Sequence, residues 1–164
     1  MKKGFTIIEL LIFMGILSIL LYVLTDIFVS SLDVKTQSES QASLQQDGRY
    51  ILSKLIYDIN RASAINSPSL GTENNSLEIV INGQTYSYSL DGDNLKLTNN
   101  FGDNNLNGYN TQVSNLSFLR LGNPVTDERP SPKDNIRISF NLKSKMIINS
   151  GQEILNFQTS AGLR

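Results

Sequence analysis

A carboxylate lies inside an apolar segment near the start of the chain. The segment runs from Phe5 to Val29, and its only charged residues are Glu9 and Asp26. An acidic side chain at the centre of a bilayer costs about 3 kcal/mol on insertion scales, and one near the end of a span costs less. Intramembrane carboxylates usually have a function and a partner. The position of Glu9 therefore predicts a specific contact that offsets its charge.

The residues around Glu9 form an ordered motif. They read Gly4-Phe5-Thr6-Ile7-Ile8-Glu9. This motif, with two lysines before it and the apolar run after it, resembles the N-terminus of type IV prepilins and of the pseudopilins of type II secretion and DNA-uptake systems. The resemblance implies that a membrane prepilin peptidase cuts between Gly4 and Phe5 and methylates the amine of Phe5. It also implies that Glu9 meets the N-terminal amine of a neighbouring subunit during assembly.

The head, with its helix stretch Gln45-Gln46-Asp47-Gly48-Arg49-Tyr50 and a β-rich tail, resembles minor pilins and J-type pseudopilins more than major pilins. Many major pilins close a C-terminal loop with a disulfide, whereas this sequence has no cysteine. Many also carry a proline within the membrane helix, and the apolar segment here has none. The resemblance implies a structural subunit whose partners are the prepilin peptidase, other subunits in a helical filament and, before assembly, the inner membrane.

Two other interpretations of the N-terminus remain open. One is a conventional signal peptide, with Leu10–Leu24 as its apolar region and a cut near Ser31. The other is an uncleaved plain anchor. A carboxylate has no place in a simple apolar region, and the segment continues into a helical pattern without a break. The mass of the N-terminus after expression beside a prepilin peptidase distinguishes these interpretations. The alternative function for the protein is a membrane-anchored surface adhesin or DNA-capture module.

Composition narrows the chemistry that the chain can carry. It has 164 residues, no histidine, no cysteine and a net charge of −1. The missing residue types remove Ser-His-Asp and Cys-His catalytic sets and zinc sites built from Cys and His, so we predict that the protein is not an enzyme. A near-neutral chain has no large basic field, which disfavours a nucleic-acid partner but leaves it open.

The hydrophobic pattern predicts one long helix from about Phe5 to about Ile65. Two lysines before it place its N-terminus in the cytoplasm and the C-terminal part outside. Beyond residue 43, apolar residues recur at steps of three and four, at Leu44, Gly48, Ile51, Leu52, Leu55, Ile56, Ile59 and Ala62. Gly48 on this stripe indicates close packing. Asp58 and Arg61 are assigned to the opposite face as a surface pair.

The remainder of the chain reads as short antiparallel strands. Asn82-Gly83 between alternating segments is the strongest short hairpin signal, and Asn135–Leu142 is the clearest strand. Residues 99–110 and 122–133 are interpreted as loops.

The predicted fold class is therefore α+β, with one long N-terminal helix packed against an antiparallel sheet. The predicted domains are a leader over residues 1–4, a membrane part over 5–29, an upper helix over 30–65 and a β-rich head over 66–164.

One loop matches the first half of a calcium-binding loop. Asp103, Asn105 and Asn107 precede Gly108 at the spacing that directs side-chain oxygens to one centre. The twelfth position is Ser114, where an EF-hand requires a bidentate glutamate. Asn, Asp and Gly are also common turn formers. We predict no cofactor, with calcium at these three residues as the alternative.

Three tyrosines form a second candidate site. Tyr86, Tyr88 and Tyr109 could stack on single-stranded DNA. They lack clustered Lys or Arg beside them, and tyrosines at strand spacing are more often half-buried sheet residues. We therefore assign them to the sheet.

Overall fold

The computed structural model of the chain describes residues 6–122, 134–147 and 151–163. These ranges contain one helix and nine strands. They are α1 (Ile7–Arg61), β1 (Ala64–Ser67), β2 (Glu73–Asn74), β3 (Leu77–Ile81), β4 (Gln84–Asp91), β5 (Asn94–Asn99), β6 (Gly102–Asn105), β7 (Thr111–Leu121), β8 (Asn135–Ser144) and β9 (Ile154–Gly162). The predicted α+β class is confirmed.

The chain divides into two compact units, Met1–Ser38 and Glu39–Arg164. We call the first the helical unit and the second the globular unit. The helical unit is α-helical from Ile7 onward. The globular unit contains the rest of α1 and all nine strands.

Within the globular unit, one stripe of α1 is buried against the strands. The stripe consists of Ser40, Leu44, Gly48, Ile51, Leu55, Asp58 and Ile59. Steps of three or four residues separate successive members up to Leu55, and Asp58 and Ile59 follow Leu55 by three and four. This spacing keeps them on one side of the helix, which explains why this side lies in the core. The predicted apolar stripe is confirmed.

The assignment of Asp58 and Arg61 to a surface pair was wrong. Asp58 is 1% exposed, and its carboxylate accepts a hydrogen bond from the Tyr88 hydroxyl and lies 2.9 Å from Lys54 Nζ. Arg61 instead donates to the Tyr57 hydroxyl. Asp58 follows Leu55 by three residues and precedes Ala62 by four, so its position places it on the buried face despite its charge.

The helix ends at Arg61 rather than near Ile65. Residues 64–67 form β1, which pairs with β3 through Ala64↔Val80 and Ile65↔Ile79. Burial of Ile65 between strands replaces a further helical turn. The prediction extended the helix to about Ile65 because the first proline of the chain comes only at Pro68.

The strands form two antiparallel sheets instead of the single predicted sheet. Sheet A has the order β1-β3-β4-β5-β6, and sheet B has the order β2-β7-β8-β9. Their inward side chains share one core with α1. On β8 the alternating residues Ile136, Ile138, Phe140 and Leu142 are buried, as predicted for its clean pattern.

The turns show where local signals were sufficient and where they were not. Asn82 and Gly83 have φ angles of 51° and 76° and join β3 to β4 as the predicted hairpin. Residues 102–105, interpreted as loop, form the edge strand β6 against β5. The predicted proline loop falls mostly on residues 123–133, outside the described ranges.

Gly48 sets how closely β9 approaches the helix. A Cβ at this position would lie 2.1 Å from the Phe157 ring. That ring stacks on Phe140 with a centroid separation of 5.4 Å. The prediction that this glycine permits close packing is confirmed.

Candidate functional site

Thr6 begins the helix that carries Glu9. Thr6 is non-helical, and its Oγ1 accepts the backbone N–H of Glu9 at 3.3 Å while its carbonyl accepts the N–H of Leu10 at 3.2 Å. This is the geometry of an N-cap, which satisfies donors that the first turn leaves unpaired. Thr at the cap and Glu three residues later also match the sequence pattern of a capping box.

Glu9 lies in the first turn of α1 with its side chain exposed. A carboxylate in this position interacts favourably with the N-terminal end of the helix dipole. Within the described residues, no hydrogen bond or ion pair reaches its carboxylate. Gly4 and Phe5, the predicted processing residues, lie outside the described ranges. The roles assigned to all three stay predictions.

The helical unit presents apolar side chains on every side. From Ile7 to Val29 its large apolar residues are 39–81% exposed. In the described part of the chain, α1 is the helix that is long and apolar enough to cross a membrane, judged by length and composition. The exposed area has a large hydrophobic driving force for burial in lipid or against other helices.

Three hydroxyl groups of the helical unit donate to carbonyls within the helix. Ser18 donates to the Met14 carbonyl and Thr25 to the Leu21 carbonyl, each at 2.8 Å. Thr36 donates to the Leu32 carbonyl at 3.0 Å. A polar group left unpaired in hydrocarbon would cost several kcal/mol. These internal bonds make the three hydroxyls compatible with an apolar environment.

Two of the three predicted calcium ligands have protein partners for their side chains. Asp103 lies on β6, and its Oδ2 is 2.7 Å from Lys96 Nζ. Asn107 is buried; its Oδ1 accepts the Leu95 N–H at 2.9 Å, and its Nδ2 donates to the Thr111 carbonyl at 2.9 Å. Asn105 is exposed on β6. A cation at Asp103 would therefore compete with Lys96.

The contact between Lys96 and Asp103 also shifts the pKa values of both side chains. Its hydrogen bond to Asp103 holds the pKa of that carboxyl below the usual value, with a further contribution from Thr98. The same bond, followed by the one to Asp91, raises the pKa of Lys96.

Calcium binding at this loop remains a prediction. A rise in the thermal midpoint on adding calcium that Asp103→Asn removes would support it. Among the described residues, no group of three or more His, Cys, Asp or Glu side chains is placed to hold a metal.

The three candidate tyrosines do not share one surface. Tyr88 is fully buried and Tyr86 packs against the core. Tyr109 is 90% exposed, with Lys145 Nζ 5.5 Å from its ring centroid. The assignment of Tyr86 and Tyr88 to the sheet is confirmed, whereas Tyr109 lies outside it.

Sequence reasoning missed two polar contacts. The Thr6 cap was signalled by Thr-x-x-Glu before an apolar run, a recognised helix start. The second contact is made by Asp47, whose carboxylate accepts the Gly108 N–H at 2.8 Å and the Thr111 hydroxyl. These partners lie more than sixty residues away, and no local pattern indicates them.

Comparison with known proteins gives one match. Residues 1–24 match the family described as the prokaryotic N-terminal methylation motif. No curated protein and no solved structure matches the chain. The matched segment covers the Gly4-Phe5 sequence, the Thr6 cap, Glu9 and most of the apolar part of α1. In this N-terminal segment the chain is similar to type IV pilin-like precursors.

Proposed function

We propose that the protein is a minor pilin or pseudopilin, a structural subunit of a type IV pilus-like filament or of a secretion or DNA-uptake pseudopilus. A prepilin peptidase processes it after Gly4, and it assembles through its N-terminal helix. The observation that carries the proposal is the methylation motif over residues 1–24, placed on a helix whose apolar side chains are exposed all round.

The exposed helix supports assembly through burial. Before assembly, the apolar residues of the helical unit face the lipid of the inner membrane, and the cationic leader keeps the N-terminus cytoplasmic. In the filament, the same side chains pack against the helices of other subunits. A surface that is apolar on every side suits both environments without rearrangement, because lipid tails and neighbouring helices are both apolar.

In this proposal, Glu9 fixes the register in which one subunit helix packs against another, because the apolar surface around it favours no single register. The N-terminal end of the helix dipole offsets part of its charge locally. The remainder is offset when the N-terminal amine of a neighbour approaches, since opposite charges attract strongly where water is excluded. A subunit that docks out of register leaves the carboxylate uncompensated.

Processing is tested by the N-terminal mass of the full chain expressed beside a prepilin peptidase. We expect loss of residues 1–4 and the added mass of one methyl group on Phe5. Gly4→Val should block the cut because the side chain obstructs the peptidase. Gly15→Ala is the matched control, since a Cβ there meets no atom within 4 Å. An intact Met1 in the wild type, or a cut near Ser31, would contradict the proposal.

Assembly is tested with two carboxylates from the same apolar segment. Glu9→Ala should be processed normally but fail to enter filaments, because its positive partner loses its counter-charge. Asp26→Ala should be processed and incorporated like the wild type. The measurement is the amount of each variant in sheared filaments relative to membranes. Normal incorporation of the Glu9 variant would refute the pairing role.

A further inference from the structure

The last strand of the globular unit, β9, is an open edge of sheet B. It ends the order β2-β7-β8-β9, so within the described part of the chain it pairs on one side only, with β8. The Leu163 N–H donates to the Asp134 carbonyl, and the Ser144 N–H donates to the Glu153 carbonyl. Odd-numbered residues of this segment therefore direct their backbone groups to β8, and even-numbered residues direct theirs away from it. The backbone groups at the free edge belong to Ile154, Asn156, Gln158, Ser160 and Gly162.

The other three sheet edges in the described ranges are protected against pairing. Strand β1 has four residues and is followed directly by Pro68, and β2 has two residues. Strand β6 has four residues and carries Asp103, which is paired with Lys96. Short length, proline and charge are the features that keep an edge from adding another strand. Strand β9 has nine residues with no charge and no proline, so it is the unprotected edge.

The core is also less completely covered at β9 than at β8. Leu155, Phe157 and Thr159 alternate with the exposed residues of β9 and are half-buried. Their partners in register on β8 are at most 1% exposed; they are Leu142, Phe140 and Ile138. A further strand beside β9 would bury the remaining apolar surface and satisfy the free backbone groups together.

A second copy of β9 fits this edge in one antiparallel register. With Gln158 of each copy directly opposite the other, Ile154 faces Gly162, Leu155 faces Ala161 and Phe157 faces Thr159. A large side chain thus meets a small one at each of these positions, which favours close packing across the pair. Outward-pointing backbone groups face one another, as an antiparallel ladder requires, and no like charges meet.

Other registers and other segments fit less well. Moving the centre by one residue leaves two residues of each strand unpaired and places Phe157 or Thr159 opposite itself. Elsewhere in the chain, the stretch 123–133 contains Pro124, Pro130 and Pro132, and proline cannot donate to a ladder. The size and charge pattern of β9 therefore matches β9 itself.

We propose that the free edge of β9 pairs with β9 of a second copy of this chain, antiparallel and centred on Gln158. The two copies are related by a twofold axis, and each contributes the same surface. The pairing joins the two copies of sheet B into one continuous sheet of eight strands.

This contact goes beyond the proposed assembly through the N-terminal helix. Subunits along a helical filament repeat in one direction, whereas a twofold axis reverses the second copy. The pair is therefore a state of unassembled subunits. It involves the globular unit alone and does not depend on the processing or on the role of Glu9.

Disulfide trapping tests the pairing, because the chain contains no cysteine. In the full-length chain, with detergent micelles in large excess, Gln158→Cys should form a disulfide-linked dimer on mild oxidation. Directly opposed residues of a hydrogen-bonded pair have Cα atoms about 5.5 Å apart, within the range of about 4.4–6.8 Å that a disulfide spans. Asn105→Cys, exposed on the edge strand β6, is the matched control and should stay monomeric.

The register is tested with cysteines two residues from the centre. Asn156→Cys alone and Ser160→Cys alone should not cross-link, since each lies about 14 Å along the strand from its own copy at 3.4 Å per residue. An equal mixture of the two variants should cross-link, because residue 156 of one copy lies opposite residue 160 of the other. Cross-linking of either variant alone that equals the mixture would overturn the register.

Charge at the centre gives a second arm that needs no oxidation. Gln158→Lys and Gln158→Glu each place like charges opposite each other and should lower the association constant about fivefold, measured by sedimentation in density-matched detergent. A mixture of the two should associate at least as well as the wild type, because opposite charges then meet. Asn141→Lys, beside Asn156 on β8, should leave association unchanged. Thermal midpoints of all variants check that they fold.

The outcomes separate this contact from association through the apolar segment. If Gln158→Cys cross-links no better than Asn105→Cys, the β9 pairing is wrong. A dimer present in equal amount in the Lys variant, the Glu variant and their mixture is held elsewhere in the chain, and it would also overturn the pairing. The N-terminal mass tests the proposed function separately, so either proposal can fail without the other.

Discussion

At the scale of single residues, Gly48 controls the distance between α1 and β9. Alanine at an exposed helix position is about 1 kcal/mol more favourable than glycine. Here its Cβ would overlap the Phe157 ring, and overpacking costs about 1–3 kcal/mol. We expect Gly48→Ala to destabilise the globular unit, measured as unfolding of the full chain in detergent by near-ultraviolet tyrosine dichroism.

The companion variants make this prediction specific. In a Phe157→Ala background the overlap disappears, so Gly48→Ala should become stabilising by up to about 1 kcal/mol through helix propensity. Ser53→Ala, on the exposed side of α1, should change stability by about 0.5 kcal/mol or less in either background. The same sign for Gly48→Ala with and without Phe157 would show that the ring does not determine the effect.

Tyr88 links stability to alkaline pH. Burial, and secondarily its hydrogen bond to Asp58, raises the pKa of the Tyr88 hydroxyl above its ordinary value. Because the folded pKa is the higher one, its stabilising contribution is complete below the unfolded pKa of about 10 and is lost as pH rises above it. The wild type should therefore lose stability above pH 10 more steeply than Tyr88→Phe, by about 1.4 kcal/mol per pH unit.

Unfolding midpoints between pH 8 and 11 measure this difference. At neutral pH, Tyr88→Phe should also cost about 1–3 kcal/mol, because the buried Asp58 carboxylate loses a donor. Tyr109→Phe is the control, since its hydroxyl is exposed, and its pH dependence should match the wild type. Parallel curves for the wild type and Tyr88→Phe would contradict the assignment.

At the scale of elements, an arginine joins three segments. Arg120 on β7 donates through Nη2 to Asp134 Oδ2 at 2.5 Å and through Nη1 to the carbonyls of Ile65 and Pro68 at 3.0 and 3.2 Å. Asp134 is buried, and the Arg120 side chain is mostly buried. Removing one partner of such a pair costs about 3–5 kcal/mol, because the other charge is left uncompensated.

A double-mutant cycle tests that joint. Arg120→Met and Asp134→Asn should each destabilise the globular unit, and the double variant should cost at least about 1 kcal/mol less than their sum. Arg137→Met, an exposed arginine on the neighbouring strand, should change stability by about 0.5 kcal/mol or less. Additive losses would mean that Arg120 acts through its two carbonyl contacts rather than through Asp134.

Elements specified by neighbouring residues were predictable, and those specified by distant partners were not. The Asn82-Gly83 hairpin, the alternation on β8 and the stripe on α1 depend on local spacing. The end of α1 and the strand β6 depend on pairing with β3 and β5. Partition into two sheets likewise depends on contacts far apart in sequence, which no local window contains.

The candidate site divides in the same way. The motif from Gly4 to Glu9 is contiguous, so its resemblance is recognisable from the order of residues alone. The Thr6 cap belongs to the same contiguous pattern, although sequence reasoning missed it. Asp47, by contrast, has partners more than sixty residues away. Asp58 was assigned to the exposed face because it is charged, although its position in the sequence lies on the buried face. A helical wheel that weights position above polarity would have found Asp58.

At the scale of the whole molecule, the two units should respond differently to denaturant. The helical unit satisfies its backbone internally, and detergent replaces lipid around its apolar side chains. The globular unit depends on long-range strand pairing and a core that urea weakens. In detergent with urea, we expect the tyrosine signal of the globular unit to be lost while part of the far-ultraviolet helix signal remains. Complete and coincident loss of both signals would show a single cooperative unit.

The Thr6 cap has a consequence for maturation. Thr6 lies on the carboxyl side of the proposed Gly4–Phe5 cut, so the hydrogen bonds that begin α1 belong to the part of the chain that processing retains. If the proposed cut is made, the residue whose hydroxyl and carbonyl accept the first N–H groups of α1 is kept. The proposed maturation therefore does not require the removal of any residue that caps the helix.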